Sequence, residues 1–257
     1  MSYSRNALLA LGAFIVAMYT WVLLPYSSLP DSVFHLLVRE DGLIESMGAL
    51  WLLAAGGLFF ICFLRARRRG SARIMWLFLL GMAVALFIGA GEEVSWGQRF
   101  FGIDVPAPLK EDNYQQELNL HNQSAFDWWG VWQVFEIFTL LFAVALPLAA
   151  WRSPRVLGFA SRYVPIVPLR LSALFLLAEL MAALSALAYP GSWKSPAGTP
   201  TNDVMDPGGL GHGAGITEMC FSLVYAAVAF NLLRTQQSSR AVTLPRSSSS
   251  LPTASAP

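Results

Sequence analysis

Glu92 and Glu93 sit side by side where a long apolar run gives way to polar sequence, in Gly91-Glu92-Glu93-Val94-Ser95-Trp96-Gly97-Gln98-Arg99. Adjacent carboxylates partly withdrawn from water suit the work of a general base or a metal ligand. Arg99 would hold an anionic group or one of the acids. Glu117 and His121 are four residues apart in Glu117-Leu118-Asn119-Leu120-His121, a spacing that on a helix presents both to one metal ion. Asp41 and Glu45 share that spacing at the start of another apolar run, and Glu218 lies in the last one. The expected site therefore has Glu92, Glu93 and Arg99 as catalytic residues, with His121, Asp41, Glu45 and Glu218 as metal ligands. Imidazole and carboxylate donors would accept zinc, manganese or iron as a divalent cofactor. The chain holds no GxGxxG, Walker A, HExxH, GxSxG or CxxC pattern, so no organic cofactor site is expected.

Each of these residues also has a structural role open to it. Asp41 and Glu45 suit the first turn of a helix, where acids complement the dipole. Glu92, Glu93 and Arg99 would form an ion pair at a rim, and Glu179 would be hydrogen-bonded between helices. His212, in the glycine-rich stretch 208–213, would be a turn residue, and His35 would lie at the level of lipid headgroups. Such roles do not account for the concentration of these groups at one end of the apolar runs. All three histidines fall in or beside loops on one side, and most of the acids lie near the same rim.

The GEE-V-SWGQR segment at 91–99 and the Asn119-Leu120-His121-Asn122 segment resemble those of a group of uncharacterised bacterial multi-pass membrane proteins. That resemblance implies a shared outward site and a place in the bacterial inner membrane. A fainter similarity is to CAAX-type intramembrane proteases, in which a Glu-Glu pair followed by an Arg works with histidines on other helices. Here Arg99 lies seven residues after Glu92, and no FxxxH helix is present.

The elements that must position these residues are apolar helices. Of the 257 residues, 55% are hydrophobic and only 13% charged, with a mean hydropathy of +0.51. Soluble domains carry about 25% charged residues, so the bilayer must be the solvent for much of this chain. Spanning helices need about 20 mostly apolar residues. Segments 7–24, 43–64, 74–90, 129–151, 171–189 and 213–233 qualify, which predicts an all-α membrane bundle of six helices over residues 1–237. The first lacks a small-residue cleavage site and reads as a retained helix. Residues 238–257, rich in Ser, Pro and Ala, read as a disordered tail.

Arg5, the arginines of 65–73 and 152–170, and those at 234, 240 and 246 fall on one side of these helices; Arg39, Arg99, Lys110 and Lys194 fall on the other. The bias predicts cytoplasmic termini and an outward-facing acid site. The basic residues flank the membrane and form no stripe, so a nucleic-acid partner is not expected. Cys62 and Cys220 are expected to be packing residues.

The favoured functional reading is a membrane-embedded, metal-dependent hydrolase acting on a lipid or membrane-protein substrate. The alternatives are a proton-coupled transporter with Glu136, Glu179 and Glu218 as relay, or a non-catalytic assembly subunit. No internal repeat is visible, which weighs against the transporter.

Overall fold

The computed structural model describes residues 5–23, 42–113, 117–120, 123, 131–188 and 210–243. Helix α1 spans Arg5–Leu23, α2 Leu43–Arg68 and α3 Arg73–Glu93. A 3-10 turn at Ser95–Gly97 leads into two short helices, α4 (Gln98–Phe101) and α5 (Ala107–Asp112). Helix α6 (Val131–Thr139), a π-helical stretch at Leu140–Ala145 and α7 (Leu146–Arg152) follow one another as a rod. Helices α8 (Pro154–Ala160), α9 (Leu169–Ala188) and α10 (Leu210–Thr243) complete the chain. The wide turn has a local cause. Pro147 has no N–H to give, and in an α-helix its ring would strike the carbonyl of Ala143. The π stretch takes up that mismatch just before it.

Leu43–Arg68, Arg73–Glu93, Val134–Arg152 and Gly215–Gln237 are long and apolar enough to cross a membrane, and Arg5–Thr20 is a shorter apolar helix. Their outer faces leave Leu9, Phe87 and Leu141 about 60% exposed. Burying one such side chain is worth roughly 1.5–3 kcal/mol, so a surface studded with them fits hydrocarbon rather than water.

Helix α10 is the hub. It packs on α2, α9 and α1, and 67% of its membrane-length stretch is buried, against 28% for α3. Close approach is carried by small residues. Gly48 faces the backbone of Met219, and a Cβ on Gly56 would stand 3.2 Å from the Ala83 carbonyl. Contacts fix the directions. Gly48 meets Met219 and Cys62 meets Ala229, so α2 and α10 run parallel. Phe175 packs on Phe221 and Tyr225, while Tyr19 bonds Thr217, so α9 and α1 both lie against α10. Phe135 and Thr139 meet Tyr225, which aligns α6 with α10. Both cysteines are buried and free.

Within the described residues each expected segment is helical, with 129–151 divided among α6, the π stretch and α7. Helix α2 continues to Arg68 because arginine is a good helix former and suits the negative end of the dipole. Helix α10 begins at Leu210 and reaches Thr243, taking in residues 238–243 of the expected tail; residues 244–257 lie outside the described ones. His212 consequently belongs to the first turn of α10 and not to a preceding turn.

Candidate functional site

Helix α3 stops one residue after Glu92, and the way it stops organises everything nearby. Ser95, Trp96 and Gly97 take φ values of 43°, 54° and 77°, a left-handed run that turns the chain back on itself. For Ser and Trp this costs roughly 1–3 kcal/mol each, so the surroundings must hold them. The Trp96 ring lies against Gly91, where a Cβ would come within 2.8 Å of it. Its Nε1–H donates to Glu92 Oε1 at 2.7 Å. The Ser95 hydroxyl donates to the Glu117 carboxylate. Helix α3 does not run on past Glu93, so Glu92, Ser95 and Trp96 do not share a helical face. Glu92 and Trp96 do meet, but across a left-handed turn.

The same turn receives a second segment. Leu118 N–H donates to Gln98 Oε1 and Leu120 N–H to Glu92 Oε2, each at 2.6 Å. Asn119 Nδ2 donates to Glu117 Oε2 at 3.0 Å and reaches Ser95 Oγ at 3.3 Å. Asn113 Nδ2 donates to the Asn119 carbonyl at 2.9 Å and to its side-chain oxygen at 2.7 Å. Asn113 Oδ1 in return accepts Glu117 N–H at 3.2 Å. Ser95, Asn113, Glu117 and Asn119 are all buried. The segment from Glu117 to Leu120 is thus a bend, not a helix, and His121 lies outside the described residues. Glu117 Oε2 accepts from Ser95 and Asn119. Asn113, Ser95, Gln98 and Asn119 were not singled out as site residues. Their signal is the run of amide side chains in an otherwise apolar chain.

Glu93, next to the engaged Glu92, interacts electrostatically with Glu218 on α10 most strongly, then with Glu45 on α2 and with Glu92 itself. Carboxylates from three helices therefore converge at the end of the bundle that carries the left-handed turn. The Glu218 carbonyl accepts the Ser222 hydroxyl at 2.6 Å, which holds that turn of α10. Among the described residues, no group of three or more His, Cys, Asp or Glu is placed to hold a metal ion. Asp41, His121 and His35 lie outside the described residues, as does the Arg99 side chain. Expected ligands Glu45 and Glu218 are brought together with the expected catalytic Glu93, and Glu92 is tied into the wall beside them.

Below this cluster the bundle interior continues polar. Tyr19 OH donates to Thr217 Oγ1 at 2.7 Å, and the phenol feels the charges of both Glu218 and Glu179. Glu179 on α9 shares a hydrogen bond with Glu136 on α6. Thr139 and Tyr225 join hydroxyls at 2.7 Å. No family model, curated protein or solved structure matches this chain.

Proposed function

We propose that this chain is a membrane-embedded hydrolase acting on a lipid or membrane-associated substrate at the acid-lined end of a six-helix bundle. The observation that carries the reading is the convergence of Glu93, Glu218 and Glu45 from α3, α10 and α2. In this reading Glu93 is the general base that takes the proton of an attacking water. Glu92 is a positioning residue, because both its oxygens hold neighbouring N–H groups. A divalent metal would require His121 and Asp41 as further donors, since the described acids alone are not placed to hold one. Arg99 would bind an anionic group of the substrate.

Topology belongs to the same proposal. Helices α1 and α9 join the four longer apolar stretches as spans, both termini face the cytoplasm, and the membrane is the bacterial inner membrane. The arginine bias supports this orientation. Elemental analysis of the purified protein, with hydrolysis of radiolabelled membrane lipids by wild type and Glu93→Gln, is the test. Turnover lost in a folded Glu93→Gln supports the enzyme. No turnover of any lipid or membrane-protein fraction by the wild type counts against it.

The Glu136–Glu179 contact favours a second reading, proton-coupled transport. The Tyr19 phenol interacts electrostatically with both Glu179 and Glu218, which would let it link that pair to Glu218. Glu179→Gln separates the readings: a relay fails, whereas a hydrolase retains near-normal turnover.

A further inference from the structure

The two ends of this bundle differ in charge as sharply as in shape. The arginines of residues 65–73, 152–170 and 234 all fall at the end opposite Glu93, and among the described residues no Asp or Glu accompanies them. Some are already engaged: Arg65 Nη1 donates to the Leu233 carbonyl at 3.4 Å, and Arg69 donates to that of Gln236. Others face outward among the described residues. Arg67, Arg68, Arg73, Arg155 and Arg162 are exposed.

Helix α8 shows what medium they face. Ser153 leaves helical geometry, caps the new helix through Val156 N–H, and Pro154 starts it, so the chain turns away from the rod of α6 and α7. Arg155, Phe159 and Arg162 follow at i, i+4 and i+7, the spacing of one helical face. Hydrogen bonds from Ser161 N–H to Leu157 and from Arg162 N–H to Phe159 carry the turns that far. Phe159 is 68% exposed and Trp151, just before the break, 66%. Arg152 lies over the Trp151 ring at 5.7 Å, and Tyr163 packs edge-on against Phe159. Arginines flanking bare aromatic rings suit neither water nor hydrocarbon alone. They suit the boundary, where rings sit among the acyl chain ends and guanidinium groups meet phosphate.

We infer that the Trp151–Tyr163 segment is a docking surface for anionic phospholipids of the surrounding bilayer, with Arg155 and Arg162 on the headgroup and Phe159 among its chains. Uncompensated positive charge selects an anionic over a zwitterionic headgroup. The exposed apolar rings select a lipid over a soluble phosphate.

The test uses the full chain in nanodiscs of phosphatidylcholine alone or with phosphatidylglycerol, reading retained lipid by native mass spectrometry. Wild type should retain phosphatidylglycerol in preference to phosphatidylcholine, and inorganic phosphate should not displace it. Arg155→Gln with Arg162→Gln should lower that preference roughly tenfold or more, given about 1 kcal/mol per basic residue at an anionic surface. Arg155→Lys with Arg162→Lys should keep most of it, which also controls for folding. Equal retention of the two lipids by wild type, or an undiminished preference in the glutamine variant, would overturn the inference. So would displacement by phosphate alone.

Discussion

Glu92 and Leu120, 28 residues apart in sequence, are joined by a 2.6 Å hydrogen bond from the leucine N–H to the glutamate Oε2. The other oxygen of the same carboxylate takes the Trp96 indole N–H. One side chain thus accepts from two donors that approach from different segments, while its neighbour Glu93 turns towards α2 and α10.

This division of labour separates two otherwise identical substitutions. Glu92→Gln puts an amide NH2 against one of two N–H donors, so one bond is lost and a donor is left facing another. We expect a loss of about 1–3 kcal/mol in stability, read as a lower midpoint of thermal unfolding in detergent. Glu93→Gln should unfold within about 0.5 kcal/mol of wild type and lose function. The reverse pattern would show that the roles have been assigned the wrong way round.

Gly91→Ala places a methyl group 2.8 Å from the Trp96 ring. The ring must then move and drag the left-handed turn with it, at a cost of about 1–3 kcal/mol. Removing the ring removes the clash, so Trp96→Ala combined with Gly91→Ala should cost clearly less than the two single changes added together. Additive costs in a double-mutant cycle would refute the contact.

Tyr19→Phe removes the phenol that bonds Thr217 inside the bundle. The expected loss is about 0.5–1.5 kcal/mol. Under the hydrolase reading turnover should stay near that of the wild type, whereas a proton path through the Tyr19 hydroxyl would be cut.

Reporter fusions at Gly70 and Ser161 should report a cytoplasmic location, and a fusion at Pro106 an external one. A cytoplasmic signal at Pro106 would reverse the orientation and put the acid cluster on the inner face.

The helices were readable in the sequence because twenty-residue apolar runs have few other fates, and the pairing of acids at one end followed from their places on those runs. The turn after Glu93 was not readable. Its geometry depends on Ser95 and Trp96 holding positive φ, which neither residue favours and which contacts with Gly91, Glu92 and Glu117 help to hold. The bend at Glu117–Leu120 was hidden for a related reason. Periodicity assumes a helix, whereas Asn113 and Asn119 offer the backbone other partners and fix a bend. The identical neighbours Glu92 and Glu93 could be told apart only by seeing which donors each one meets.

Helix α10, on which α1, α2 and α9 all pack, is also the last of these helices to leave the ribosome. At about 5–20 residues per second, roughly ten seconds or more separate the synthesis of α1 from that of α10. During that interval Tyr19, Glu45 and Glu93 stand in the membrane without Thr217 and Glu218. The bundle cannot mature helix by helix from its N-terminal end; it closes when α10 arrives. A nascent chain arrested before residue 210 would therefore be a substrate for membrane quality control, however well its first helices had inserted.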